Sequence, residues 1–466
     1  MHYLSTRGGV EPVGFADAVM MGLGTDGGLL VPAELPRVDD ATLRRWAGLR
    51  FQDLALEVML PFAGSDVPRA DLADLIERSY AAFSDSEVTP LRGAGGRFFL
   101  ELFHGPTAAF KDVALQFLGN LFEYLLARDG GRLNIVGATS GDTGSAAIYG
   151  VRGKDRIDIF ILHPKGRVSP VQERQMTTVL DANVHNIAVA GTFDDAQRIV
   201  KTLFNDLPFK TAHHLGAVNS INWARILAQT VYYFYAWGRL SGGDPAYRVS
   251  FSVPTGNFGD VFAGWLAKQM GLPVERLIIA TNRNDILSRF VHSGAYTAGD
   301  VYHTLSPAMD IQLASNFERY LYFLLDRDPA AVRALLDEMA QTGTLQVDGQ
   351  RLEQVQADFD ARAVSDEETL EQIRETFATA GYILCPHTAV GARAAAGHPD
   401  AVILATAHPA KFNEAVVAAI GRAAPPPPPL QGLLEREARC AELPATAEAV
   451  RGFIEDTLGA ATEADR

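Results

Sequence analysis

The sequence predicts an α/β fold, because three apolar runs each lead into a glycine- or proline-bearing loop and then into a helical pattern. The first run, Leu133 to Ala138, is followed by Thr139-Ser140-Gly141-Asp142-Thr143-Gly144 and a small-residue helix start at Ser145. The second, Val249 to Val253, is followed by Pro254-Thr255-Gly256-Asn257-Phe258-Gly259-Asp260 and a helix through about Met270. The third, Ala401 to Ala405, leads to Thr406-Ala407-His408-Pro409-Ala410-Lys411-Phe412-Asn413 and an alanine-rich helix.

Taken in chain order, residues 1–97 read as a separate N-terminal segment, with a glycine-rich opening at Gly22 to Gly28 and mostly helix after Asp39. Residues 98–248 form the first α/β domain. Within it Val113, Leu115, Phe117, Leu118, Leu121, Phe122, Leu125 and Leu126 recur at helical spacing, which sets Lys111 at a helix N-terminus. Ile157 to Leu162 and Asn186 to Ala190 are further buried strands. Residues 249–424 form the second α/β domain, which adds a strand at Leu277 to Ala280. The five prolines Pro425 to Pro429 fit neither helix nor central strand, so residues 425–466 are expected to be a proline-rich linker and a C-terminal tail.

Composition narrows the function. A formal charge of −15 without a basic run argues against nucleic acid as a partner, while a local positive site for a small anion stays compatible with it. No apolar run reaches the roughly 18–20 residues that span a bilayer, and Met1 to Val10 lacks the apolar core of a signal peptide. The two cysteines, Cys385 and Cys440, cannot build a disulfide framework. A reducing, cytoplasmic setting is expected, no metal site is expected, and self-association is left open.

The chemistry centres on His104-Gly105-Pro106-Thr107-Ala108-Ala109-Phe110-Lys111-Asp112. An amine at a helix N-terminus in apolar surroundings loses basicity to the helix dipole and to desolvation, and a neutral amine is what Schiff-base chemistry requires. Only seven of the 41 basic residues are lysines, so a lysine kept in such a setting suits chemistry that arginine cannot do. A helix-start lysine that snorkels to solvent satisfies the same pattern. The loop Gly256 to Asp260 can turn backbone N–H groups toward a phosphate, and the loop Thr139 to Gly144 adds the hydroxyls of Thr139, Ser140 and Thr143 to hold a carboxylate. Tight glycine turns also follow strands in α/β proteins that bind nothing there, and neither loop fits a dinucleotide or nucleotide-phosphate motif. Lysine, phosphate cradle and carboxylate cradle together point to pyridoxal phosphate.

On these stretches the chain resembles the threonine synthases, fold-type II pyridoxal-phosphate enzymes, in their longer bacterial and fungal form. The resemblance is carried by Glu101-Leu102-Phe103-His104-Gly105-Pro106-Thr107 into Phe110-Lys111-Asp112, by both glycine loops, and by Asn219-Ser220-Ile221-Asn222 with Arg225. Ala280-Thr281-Asn282 with Asn284-Asp285, Pro386-His387-Thr388-Ala389-Val390 and Thr406 to Phe412 extend it to about residue 420. It implies two open twisted α/β domains with the cofactor in the cleft, plus the N-terminal segment. It makes Lys111 the Schiff-base and catalytic lysine, places Phe110 beside the cofactor ring, and gives the cofactor phosphate to Gly256, Asn257, Phe258 and Gly259. Thr406 would face the pyridine nitrogen, and Thr139, Ser140, Gly141, Asp142 and Thr143 would hold the substrate carboxylate.

The implied reaction converts O-phospho-L-homoserine and water to L-threonine and phosphate. A second anion site is then needed, for which Lys165, Arg167, Ser169, Asn222 and Arg225 are candidates; a solvated basic turn explains the first three, and a surface helix the last two, equally well. His104, His387 and His408 flank proline-bearing turns and are assigned structural hydrogen bonds. Ala108, where the family often has a larger apolar residue, implies a roomier cofactor wall, and Leu384-Cys385 before the Pro-His pair is a departure without an assigned consequence. A serine or threonine dehydratase shares the lysine and both cradles, and a non-catalytic homologue that binds a phosphorylated metabolite is the reading from a different class.

Overall fold

The computed structural model describes residues 1–464, with side chains described to residue 460. It divides into two compact units, one made of residues 1–114 and 220–427, the other of residues 115–219 and 428–466. The boundaries expected at 97/98, 248/249 and 424/425 divide the chain differently: the N-terminal segment shares a unit with residues 220–427, and the expected tail shares one with residues 115–219. Among the described residues no helix is long and apolar enough to cross a membrane.

In the first unit six strands form one sheet in the spatial order Phe359–Ala363, Val274–Thr281, Val249–Pro254, Val402–Ala405, Arg97–Glu101 and Leu91–Ala94. All neighbours are parallel except the last pair, which is an antiparallel hairpin. Registers such as Ile403 opposite both Ser252 and Phe99 put the carboxyl ends of three neighbouring parallel strands at one edge of the sheet. The strands read as nearly continuous apolar runs because helices cover them. Helix Pro386–Ala394 packs on the strands at 249–254, 274–281 and 402–405, and Ile278, Ala280, Ala389, Val390 and Ile403 share a buried cluster there. The helices after Asp39 are Asp40–Trp46, Phe51–Ala63 and Arg69–Tyr80, as the sequence anticipates.

In the second unit five parallel strands run in the order Ala441–Pro444, Val184–Ala190, Ile157–Pro164, Leu133–Ala138 and Leu215–Gly216. The first of these belongs to the segment expected as a tail. It pairs Ala441 with Ile187 and Leu443 with Val189, and Val450 and Ile454 of the following helix, Ala447–Ala464, are fully buried in the same core as Val136, Phe160 and Ile187. The prolines therefore mark a chain crossing between units and not the end of folded structure. The boundary between the units also falls inside helix Lys111–Asp129, between Ala114 and Leu115.

Candidate active site

Lys111 is the first residue of helix Lys111–Asp129, as its position before the amphipathic run predicts. The turn that delivers it is pinned from two directions. The Thr107 N–H and hydroxyl donate to the two oxygens of the fully buried Asp112 carboxylate at 2.8 and 2.7 Å, and the buried Lys411 ammonium donates to the Thr107 carbonyl at 2.8 Å. Burial raises the Asp112 pKa to about 6, against the lowering effect of the Thr107 bonds. The Phe110 N–H donates to the Thr406 carbonyl and the His408 N–H to the Ala108 carbonyl, so the Lys111 turn is strapped to the Thr406 loop. Ala108 sits at φ 56°, a left-handed conformation that costs a small side chain less than a branched one, and its methyl is buried. The Phe110 ring lies beside the lysine, its centroid 5.1 Å from Nζ.

The second loop leaves strand Val249–Pro254 at Pro254, one strand beyond the Val402–Ala405 neighbour of the strand before Lys111. A Cβ on Gly256 would stand 2.9 Å from the Ala308 carbonyl oxygen and 3.2 Å from the Met309 Cα, so only glycine lets the backbone pass there. Phe258 takes φ 65° and ψ −2° immediately before helix Gly259–Met270, with its ring against Phe317, Tyr320 and Phe359. The backbone N–H groups of Gly256, Asn257 and Phe258 donate to no described residue, and the first turn of the helix adds its own unpaired N–H groups. Successive unspent amides at a helix N-terminus fit a phosphate ester. The third loop supplies Thr406, buried, whose hydroxyl bonds to no described residue. These three loops leave three neighbouring strands of one sheet at the same edge.

In the other unit the Thr139 hydroxyl accepts from the N–H groups of Gly141 and Gly144 at 3.0 and 2.9 Å and so closes the loop on itself. Gly141 has φ 151° and ψ −99°, and a Cβ there would lie 2.6 Å from the Gln172 amide. Gln172, which the sequence did not single out, donates to Asp142 at 2.7 Å and accepts from the Ser169 hydroxyl at 2.8 Å. Ser140 belongs to this same loop, and Thr143 is the second residue of helix Asp142–Val151. Ser169 is itself the cap of helix Pro170–Thr177.

The candidate cations fare differently. Lys165 is exposed and pairs with Glu442 at 2.6 Å, and Arg167 is exposed with its guanidinium bonded to no described residue. Asn222 is committed elsewhere: it caps helix Trp223–Ser241 by accepting from the Ala224 N–H and donates to the Val19 carbonyl at 2.8 Å. That helix is buried from Trp223 to Gly238, so the surface-helix explanation of Asn222 and Arg225 does not hold. Arg225 is 4% exposed, and its Nε and Nη1 have no partner among the described residues. Burial lowers its pKa to about 10, which still leaves it charged at neutral pH.

Each of the three histidines singled out makes a hydrogen bond within the fold. His408 accepts from the Ala410 N–H at 3.2 Å, and burial pushes its pKa down to about 4. His387 accepts from the Ala308 N–H at 3.3 Å, and His104 pairs with Glu101 at 2.8 Å. Leu384 lies in the core and Cys385 caps helix Pro386–Ala394 through its sulfur, 3.4 Å from the Thr388 N.

Comparison with known proteins decides the family. The model of pyridoxal-phosphate dependent enzymes matches residues 87–407, flanked by the threonine synthase N terminus over 2–80 and the threonine synthase C-terminal model over 388–454. The chain is 51% identical to the threonine synthase of Pseudomonas aeruginosa over 97% of its length and 98% of the relative's. It belongs to the threonine synthase family. The threonine synthase of Saccharomyces cerevisiae is also 51% identical, covering 89% of this chain and 88% of its own. Among solved structures, pyridoxal-phosphate-bound threonine synthase from Brucella melitensis superposes with a TM-score of 0.95 at 48% identity, over 98% of this chain and 99% of that one. Family membership makes this chain a pyridoxal-phosphate dependent lyase of fold type II. The C-terminal model, reaching residue 454, covers the strand Ala441–Pro444 at the edge of the second unit's sheet and the first part of the helix after it.

Proposed function

We propose that this chain converts O-phospho-L-homoserine and water to L-threonine and phosphate in the cytoplasm, with Lys111 holding pyridoxal phosphate as a Schiff base. The observation that carries the residue assignment is the delivery of three loops, bearing Lys111, Gly256 to Gly259 and Thr406, to one edge of one sheet by neighbouring parallel strands. When bound, the cofactor supplies an electron sink for a carbanion next to the amino group. The amides of Gly256 to Gly259 would hold its phosphate, with Thr406 as the hydroxyl for its ring nitrogen and Phe110 as the aromatic neighbour of the ring. Lys111 is freed when the substrate amine takes its place, and its amine then moves protons at the substrate α- and γ-carbons. The Thr139 to Thr143 loop orients the substrate carboxylate. Arg225 neutralises the departing phosphate, since it is the buried cation with uncommitted N–H groups; the exposed Lys165, Arg167 and Ser169 are secondary candidates on their own loop.

Replacing Lys111 with alanine removes only the amine. Lys111→Ala is expected to fold, to lack the visible absorbance band and the borohydride-trappable adduct, and to turn over no substrate. Retention of both band and activity would put the cofactor on another lysine.

A further inference from the structure

Arg319 is fully buried, and its guanidinium pairs with no carboxylate among the described residues. Nε and Nη2 donate to the Leu30 carbonyl at 3.1 and 3.0 Å, Nη2 also to the Ile221 carbonyl at 2.5 Å, and Nη1 to Asn316 Oδ1 at 2.5 Å. The neighbouring Glu318 is turned to other partners, the Thr6 hydroxyl and the Arg7 guanidinium. Besides these neutral oxygens the guanidinium faces the Trp223 ring, 5.7 Å from its centroid, and Glu318 acts on it only through space; a buried cation without a directly paired carboxylate is costly unless a counter-charge arrives. Burial lowers its pKa to about 9, which keeps it protonated at neutral pH.

Asn316 passes this arrangement on to the Gly256 loop. Its backbone N–H and its Nδ2 both donate to the Asn257 carbonyl, at 3.0 and 3.2 Å, and Nδ2 also donates to the Ser220 carbonyl at 3.1 Å. The Asn257 carbonyl and the Phe258 N–H belong to one planar trans peptide and point in opposite directions. Fixing the carbonyl toward Asn316 therefore aims the Phe258 N–H away from it, out of the loop.

We propose that Arg319 is a positioning residue for the cofactor phosphate: through Asn316 it fixes the 257–258 peptide with its N–H presented, and its buried charge is balanced when a phosphate dianion enters the loop. This rests on the assignment of Gly256 to Gly259 to the cofactor phosphate. It also gives the N-terminal segment a part in cofactor binding, since the Leu30 carbonyl that takes two of the Arg319 bonds lies on strand Leu30–Pro32.

The test compares pyridoxal 5'-phosphate with pyridoxal, which lacks only the phosphate, titrated by visible absorbance into the full-length apoprotein. Arg319→Gln and Asn316→Ala should each reduce the preference for the phosphorylated form by about tenfold or more, with pyridoxal affinity nearly unchanged, while Arg319→Lys keeps part of the preference. Equal weakening of both ligands would show a merely structural role and overturn the proposal, as would an unchanged preference. If Arg319→Gln does not fold, Asn316→Ala alone decides between these outcomes. Gly256→Val separates the two levels: if it leaves the preference intact, the phosphate loop is misassigned and the inference falls with it; if it abolishes the preference while both other variants retain it, only the role of Arg319 and Asn316 fails.

Discussion

The loops at Gly256 and Thr139 both leave a parallel strand and both open a helix, but the bonds that shape them come from different distances along the chain. The Thr139 loop is closed by its own first side chain, with hydroxyl contacts two and five residues on. The Gly256 loop is shaped from outside, by Asn316 on its Asn257 carbonyl and by the Ala308 and Met309 backbone against Gly256. A loop closed by its own side chain spends the Gly141 and Gly144 amides on its own hydroxyl, and suits a carboxylate held by its remaining hydroxyls. A loop held from behind keeps its amides unspent, which is the better arrangement for a phosphate.

The largest effect expected from this contrast is at Gly256. Gly256→Val drives a branched side chain into the Ala308 carbonyl, at an overpacking cost of about 1–3 kcal/mol, and pyridoxal phosphate affinity should fall by roughly tenfold to a hundredfold. Cofactor titration checks it, and unchanged affinity would equate the two loops.

Arg225→Ala is of comparable size, with an expected loss of about 1.5–3 kcal/mol in kcat/KM for phosphohomoserine and unaltered cofactor affinity. Thr139→Val leaves the Gly141 and Gly144 N–H groups without their acceptor, a cost of about 1–2 kcal/mol that should raise KM while sparing cofactor titration. A fall in cofactor affinity instead would break the division of labour between the loops. Lys165→Ala should change kcat/KM by less than about 0.5 kcal/mol, because its ammonium is exposed and already paired with Glu442.

The same contrast explains what could be read from the sequence. Strands 133–138 and 249–254, the Lys111 helix and both loops were legible because apolar periodicity and glycine turns are local signals. Residues whose meaning depends on distant partners were not. Arg319 and Asn316 look like ordinary surface polar residues until Leu30, Ile221 and Asn257 are brought beside them, and Gln172 is silent without Asp142. The C-terminal strand was masked in the same way. Five prolines read as a break, while the pairing of Ala441–Pro444 joins residues about 250 positions apart, a separation that no local pattern encodes. For Asn222 and Arg225 a surface helix explained the spacing as well as an anion site did, because a three-residue spacing says nothing about what covers the helix.

The central claim is tested most directly by giving the cofactor-loaded parent enzyme O-phospho-L-homoserine and quantifying products. L-threonine and inorganic phosphate should form in equal amounts. Formation of 2-oxobutyrate from threonine without any phosphate release from phosphohomoserine, or no turnover of either compound, would contradict it.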